Sequence, residues 1–96
     1  MSLAKVGVVS ETHTVTLIGK PGCHLCDEAR EVVSGIIAAL DSTGVPIRLD
    51  EHNILDDANL HRKYAEEIPV VLIDGRMHAY WRVDPVRFRD AFQEKK

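Results

Sequence analysis

Cys23 and Cys26 are the two cysteines of this chain, and they stand three positions apart. Cα atoms at positions i and i+3 of a helix lie roughly 5 Å apart, a separation that a disulfide bond tolerates. If the pair lies at the start of a helix, its disulfide can form and open without a movement of the backbone. The spacing therefore predicts a redox-active pair of thiols.

Cys23 is the predicted nucleophile of the pair. A thiolate at a helix N-terminus is stabilised by unpaired backbone N–H groups and by the positive end of the helix dipole. A free thiol has a pKa of about 8.5, and thiols in such motifs reach about 7 or below. Cys26, one turn inward, is expected to resolve the mixed disulfide. A protonated His24 would lower the pKa of Cys23 further, and the alternative for His24 is a plain exposed residue.

A structural disulfide and a zinc site are the alternatives for this spacing. A disulfide that closes so short a loop stabilises a fold by only about 2 kcal/mol, and a reducing compartment would keep it open. A zinc site needs a second ligand pair at metal spacing, which His52 and His61 do not supply. We therefore predict no metal site.

A strand, a tight turn and a helix are predicted to position the cysteines. Residues 13–19 alternate polar and apolar side chains as a strand does. Lys20-Pro21-Gly22 ends this strand. Over residues 23–40 the apolar positions follow helical spacing, and Gly44 ends the helix.

The rest of the chain predicts alternating elements. The first two are a strand at 47–50 and a helix that starts at Asp56-Asp57 and ends before Pro69. A buried strand at 70–73, an Asp74-Gly75 turn and a return strand at 76–80 follow. The last element is a helix from Asp84-Pro85 to Lys95-Lys96, with Val86 on its apolar face. The order β-α-β-α-β-β-α predicts an α/β fold, with helices flanking a four-stranded mixed sheet in three layers. The first two strands are expected to be parallel and the last two to form an antiparallel hairpin.

Length and charge limit the classes of function. The 96 residues predict one domain, 1–96, in which residues 1–13 are loose or add a strand at 6–9. A net charge of −3 offers no basic excess for nucleic acid. No apolar run approaches the roughly 20 residues of a membrane span, and no secretory signal is recognised. We expect a cytoplasmic monomer.

Two segments carry a resemblance to a known family. The first is Lys20-Pro21-Gly22-Cys23-His24-Leu25-Cys26 before a long helix, and the second is Ile68-Pro69-Val70-Val71 before the Asp74-Gly75 hairpin. Together they resemble the glutaredoxin branch of the thioredoxin-fold superfamily, and more closely a group of small bacterial glutaredoxin-like proteins, over residues 14–94.

The resemblance implies a thioredoxin-like fold and a thiol–disulfide oxidoreductase with Cys23 and Cys26 as its catalytic residues. Its substrates would be protein or small-molecule disulfides. It also implies a cis peptide bond before Pro69, which would lie against the cysteines and shape a substrate groove. The Ile68 backbone would pair with substrate as a strand does, and Lys20 would bind a carboxylate of glutathione. Stabilisation of the Cys23 thiolate is the second role open to Lys20, and a plain solvated lysine is the alternative to both.

Two segments depart from the glutaredoxin pattern. His24-Leu25 stands where glutaredoxins usually carry Pro-Tyr, and Tyr80-Trp81-Arg82-Val83 stands where they carry the Gly-Gly that receives the γ-glutamyl group of glutathione. Tyr80 and Trp81 are expected to pack into the core, and the alternative for them is a share in a substrate groove. We predict no tightly bound cofactor. Glutathione is one candidate co-substrate, and a donor of the thioredoxin-reductase type is the other and the better one.

Two further functions are compatible with the same residues. One is a binding or adaptor domain whose cysteines play no catalytic part, which a fully functional Cys23→Ser variant would favour. The other is an iron–sulfur carrier that uses Cys23 and glutathione across a dimer, and a colourless purified protein would count against it. The histidines outside the motif, His13, His52, His61 and His78, are expected to be plain surface residues.

Overall fold

The computed structural model describes residues 12–92. Its elements are β1 His13–Gly19, α1 His24–Asp41, β2 Ile47–Asn53, a 3-10 turn Ile54–Asp56, α2 Ala58–Tyr64, β3 Val70–Ile73, β4 Arg76–Tyr80 and α3 Pro85–Asp90. The predicted order of strands and helices is confirmed. The strand expected at residues 6–9 and the end of the last helix beyond residue 92 lie outside the described residues.

The four strands form one mixed sheet in the order β2-β1-β3-β4. β1 runs parallel to β2, from the pair His13↔Ile47 to the pair Gly19↔Asn53. β3 is antiparallel to both β1 and β4. β1 is one of the two inner strands, and its carboxyl end leads directly into the turn that precedes the cysteines.

Helices cover both faces of the sheet. Val15 and Leu17 of β1 point to one face, where they pack with Val33 of α1 and Phe88 of α3. Ile18 points to the opposite face, where it joins a cluster formed largely by α2 and the residues around it. This two-faced burial follows from the alternation of side chains along a strand, and it gives the predicted three-layer, thioredoxin-like arrangement.

Two predicted elements differ from the structure in detail. β2 extends to Asn53 rather than to residue 50, because its parallel pairing with β1 continues through polar residues that carry no alternating pattern. In α3 the prediction that Val86 belongs to the apolar face is wrong, since Val86 is 57% exposed and Phe88 is fully buried. The ring of Phe88 packs edge-on against Phe92 one turn later.

Two of the four histidines expected at the surface are tied into the fold. His13 Nδ1 lies 2.7 Å from Asp74 Oδ2. Together with the Thr14 N–H, His13 holds the pKa of Asp74 below its usual value. His78 packs edge-on against Phe88, and burial, followed by the charge of Arg87, lowers the pKa of His78. The prediction of plain surface residues is therefore wrong for His13 and His78, whose partners come from other elements of the fold.

Candidate active site

Cys23 is the N-cap residue of α1, with an extended backbone at φ −92° and ψ 114°. Its Sγ accepts a hydrogen bond of 3.2 Å from the Cys26 N–H. This N–H is one of the groups that a helix leaves unpaired at its first turn. The donor and the helix dipole both favour negative charge on Sγ, so Cys23 occupies the position that a reactive thiolate needs.

Cys23 and Cys26 are joined by a disulfide bond, and their Cα atoms are 5.1 Å apart. Cys23 is half-buried, whereas Cys26 is only 1% exposed. Cys23 is thus the more accessible residue of the two, and Cys26 is the buried one. This is the division expected between an attacking and a resolving thiol.

Gly19 belongs to the site, although the sequence pattern indicated only that it ends a strand. A Cβ at this position would lie 2.8 Å from Cys26 Sγ and 3.1 Å from Cys26 Cβ. The missing side chain therefore makes room for the buried cysteine. The available signal was a glycine two residues before the Pro-Gly turn, at a position that a strand normally fills with a larger side chain.

A pocket of about 330 Å³ reaches Cys26, and its lining includes Gly19, Lys20, Arg30 and Glu51. Arg30 donates hydrogen bonds of 2.8 Å to Glu51 and 2.9 Å to Asp27. These bonds, the one to Glu51 first, raise the pKa of Arg30. Lys20 lines this pocket, while Ile68 and Pro69 do not. Of the three predicted substrate-binding residues, Lys20 is therefore the one that shares this pocket with Cys26.

The His24 ring is directed to Glu28 rather than to the cysteine sulfur. Its side chain is 86% exposed, and Nε2 lies 3.2 Å from Glu28 Oε2. The other carboxylate oxygen, Oε1, lies 3.8 Å from Arg82 Nη1. Tuning of the Cys23 thiolate by His24 stays a prediction.

The Ile68–Pro69 peptide bond is cis, as the resemblance implies. The Pro69 side chain is fully buried, and its carbonyl oxygen accepts a hydrogen bond of 2.8 Å from the Trp81 N–H. Within residues 12–92, no backbone hydrogen bond involves the Ile68 N–H or C=O. The Ile68 backbone thus keeps the groups that could pair with an extended substrate, and Pro69 would support such a groove from below.

Tyr80 and Trp81 are exposed, so the prediction that they pack into the core is wrong. Their side chains are 46% and 52% exposed, and the two rings meet edge to face at 5.0 Å. Trp81 has φ +66°, which turns the chain out of β4 at the point where the strand ends. The ring stays at the surface, where its Nε1–H donates to the Glu66 carbonyl at 3.1 Å.

Comparison with known sequences assigns the family. Residues 14–93 match the model of the Glrx-like family, described as a glutaredoxin-like domain (DUF836). The chain belongs to this glutaredoxin-like family. An uncharacterised protein of Mycobacterium tuberculosis is 32% identical to it over 75 residues, which cover 78% of this chain and 77% of the relative.

Comparison with solved structures agrees with this assignment. A structural-genomics target protein from X. campestris is 31% identical, with a TM-score of 0.63 over 80% of this chain and 92% of that one. Chloroplastic thioredoxin z is 9% identical, with a TM-score of 0.68 over 93% of this chain and 83% of that one, and at this identity it supports the fold alone. The glutaredoxin-like chain therefore has a thioredoxin-like fold, and its Cys23–Cys26 pair supports a redox function. No helix among residues 12–92 has the length and apolar character of a membrane span.

Proposed function

We propose that this protein is a dithiol thiol–disulfide oxidoreductase. The observation that carries the proposal is the arrangement of the pair. Cys23 Sγ accepts an N–H at the start of α1, and Cys26 is buried one turn further on at bonding distance. A structural disulfide needs neither an accessible sulfur nor a stabilised thiolate.

The reaction proceeds by two exchanges. The Cys23 thiolate attacks a substrate disulfide R–S–S–R′, forming the Cys23–S–S–R bond and releasing R′–S⁻. The Cys26 thiol then loses its proton to solvent, and its thiolate attacks Cys23 Sγ. This releases R–S⁻ and leaves the Cys23–Cys26 disulfide. Two electrons pass from the cysteine pair to the substrate.

Substrate binding uses the residues around the pair. The Ile68 N–H and C=O pair with an extended segment of substrate beside the reacting sulfur. Lys20 supplies a positive charge beside Cys26 for a carboxylate on a small disulfide or a donor. Protein or small-molecule disulfides are the proposed substrates, and a reducing compartment such as the cytoplasm suits the reaction.

Reduction of a protein disulfide tests the proposal. The wild-type protein, Cys23→Ser and Cys26→Ser are compared in turnover of insulin, with dithiothreitol as the terminal donor. We expect Cys23→Ser to be inactive and Cys26→Ser to accumulate a covalent mixed disulfide, visible in intact mass. Full turnover by Cys23→Ser would exclude the mechanism and favour a binding or adaptor domain.

A further inference from the structure

Trp81 is held in a conformation that is unusual for a large side chain. Its φ of +66° lies in the left-handed region that bulky residues rarely adopt. Its backbone N–H donates to the Pro69 carbonyl at 2.8 Å, and its indole N–H donates to the Glu66 carbonyl at 3.1 Å. The ring is thus fixed while half of its surface faces solvent. Core packing does not explain such an arrangement, which is typical of functional sites.

A small pocket opens beside this ring. Its volume is about 130 Å³, and its lining is formed by Leu25, Glu28, Ala29, Val32, Trp81, Arg82 and Val83. Pockets for small molecules have volumes of roughly 300–1,000 Å³, so this one suits a single side chain. Five of the seven lining residues are apolar. The two charged ones face each other at 3.8 Å, which favours neither sign of charge in an occupant.

The pocket lies next to the cysteine pair along α1, because Leu25 is one of its lining residues. Leu25 stands between the two cysteines in the first turn of α1. The backbone N–H of Trp81 donates a hydrogen bond to the Pro69 carbonyl. A polypeptide joined to Cys23 by a mixed disulfide brings the neighbours of its own cysteine close to Leu25, and so close to this pocket. We propose that Trp81 and this pocket select protein disulfides in which a large apolar residue adjoins the reacting cysteine. This inference rests on the proposed function and names its substrate class.

Matched peptides test the selectivity. Each peptide carries one cysteine as a mixed disulfide with thionitrobenzoate, and the residue before or after that cysteine is either Leu or Ala. Attack of the Cys23 thiolate on the peptide sulfur forms the Cys23–peptide disulfide and releases thionitrobenzoate, whose absorbance gives the rate. Reduced wild-type protein, Trp81→Gly and Leu55→Ala are compared. Glycine suits the φ of +66°, and Leu55, 63% exposed, is the apolar control outside this pocket.

We expect wild-type protein and Leu55→Ala to react about tenfold faster with the Leu peptide at one of the two positions, as filling an apolar pocket provides. In Trp81→Gly the Leu-to-Ala ratio should fall to near unity, because the ring that forms one wall of the pocket is gone. A wild-type ratio near unity at both positions would overturn the inference. A Leu-to-Ala ratio in Trp81→Gly as high as that of wild-type protein would also overturn it. If Trp81→Gly does not fold, Trp81→Asn takes its place, since asparagine also tolerates positive φ.

Failure of the proposed function has a different readout. It would appear as release of thionitrobenzoate that persists in Cys23→Ser, or as no release from any peptide, and either result would overturn both proposals. Normal, Cys23-dependent release without a Leu preference would overturn the selectivity alone.

Discussion

Gly19 and Cys26 are so close that a single added methyl group would overlap the buried sulfur, since a Cβ on Gly19 would stand 2.8 Å from Cys26 Sγ. Cys26 belongs to the rigid first turn of α1, and its sulfur is bonded to Cys23. The sulfur has little freedom to move aside. The end of β1 and the start of α1 are therefore closely packed at this contact.

Substitution of Gly19 by Ala should destabilise the protein by about 1–3 kcal/mol, the usual cost of overpacking. Gly35→Ala is the matched control, because nothing lies within 4 Å of a Cβ built at Gly35 in α1. That change should stabilise the protein by up to about 1 kcal/mol through helix propensity. Urea unfolding of the oxidised variants measures both. Equal stability of Gly19→Ala and wild type would show that the site relaxes freely around Cys26.

The thiol of Cys23 should have a pKa below the value of about 8.5 for a free cysteine, because the N–H of residue 26 and the helix dipole stabilise its thiolate. The rate of alkylation by iodoacetamide against pH in Cys26→Ser measures this pKa. Cys23→Ser is the control, and its single thiol should react slowly because Cys26 is 1% exposed. A midpoint at or above 8.5 would contradict the argument from the helix terminus.

Glutathione should be a poor electron donor for this protein. Trp81 and the neighbouring Tyr80 are exposed where the glutaredoxins it resembles present glycines to the γ-glutamyl group. Loss of two or three charge-assisted hydrogen bonds, at ~1.5–3 kcal/mol each, weakens binding by about a hundredfold or more. Steady-state turnover with glutathione and glutathione reductase is compared with turnover by thioredoxin reductase.

A variant of Trp81 serves as the control in the same glutathione assay. Trp81→Gly suits the φ of that residue and should raise turnover with glutathione, because it removes the ring from the approach to the site. Saturation of wild-type protein at the glutathione levels that serve ordinary glutaredoxins would show that the aromatic segment does not obstruct the site.

Stability should depend on pH through Asp74. The hydrogen bonds from His13 and the Thr14 N–H lower its pKa in the folded state. The stabilisation is therefore fully present above the unfolded pKa, at about pH 4, and is lost as pH falls through the folded pKa. Because both side chains are partly exposed, 34% and 46%, the effect should be below about 1 kcal/mol.

Asp74→Asn is the variant that isolates this charge. Asparagine tolerates the φ of +51° at this position, and its side-chain oxygen can still accept the Thr14 N–H. Urea unfolding should show a loss of stability near neutral pH that disappears at low pH, well below about pH 4. An equal loss at both pH values would assign the effect to packing rather than to charge.

Local patterns in the sequence were sufficient for the elements and for the redox pair. The alternation of polar and apolar side chains delimits β1 at His13–Gly19, and the Asp74-Gly75 turn separates β3 from β4. Both agree with the structure. The spacing of Cys23 and Cys26 predicted a pair at a helix start, and the observed Cα separation of 5.1 Å agrees. These features depend on residues a few positions apart, whose geometry follows from backbone stereochemistry alone.

Only the tertiary structure decided which distant residues meet. The pairing of His13 with Asp74 arises because the sheet order places β1 beside β3. The contact of Gly19 with Cys26 depends on how closely α1 packs against the end of β1. Trp81 appeared to belong to the core by its residue type, yet its exposure depends on a positive φ and on a hydrogen bond to Glu66. The type of a residue determines how much apolar surface its side chain can bury. Whether it does so depends on the elements that pack around it, and no local pattern carries that information.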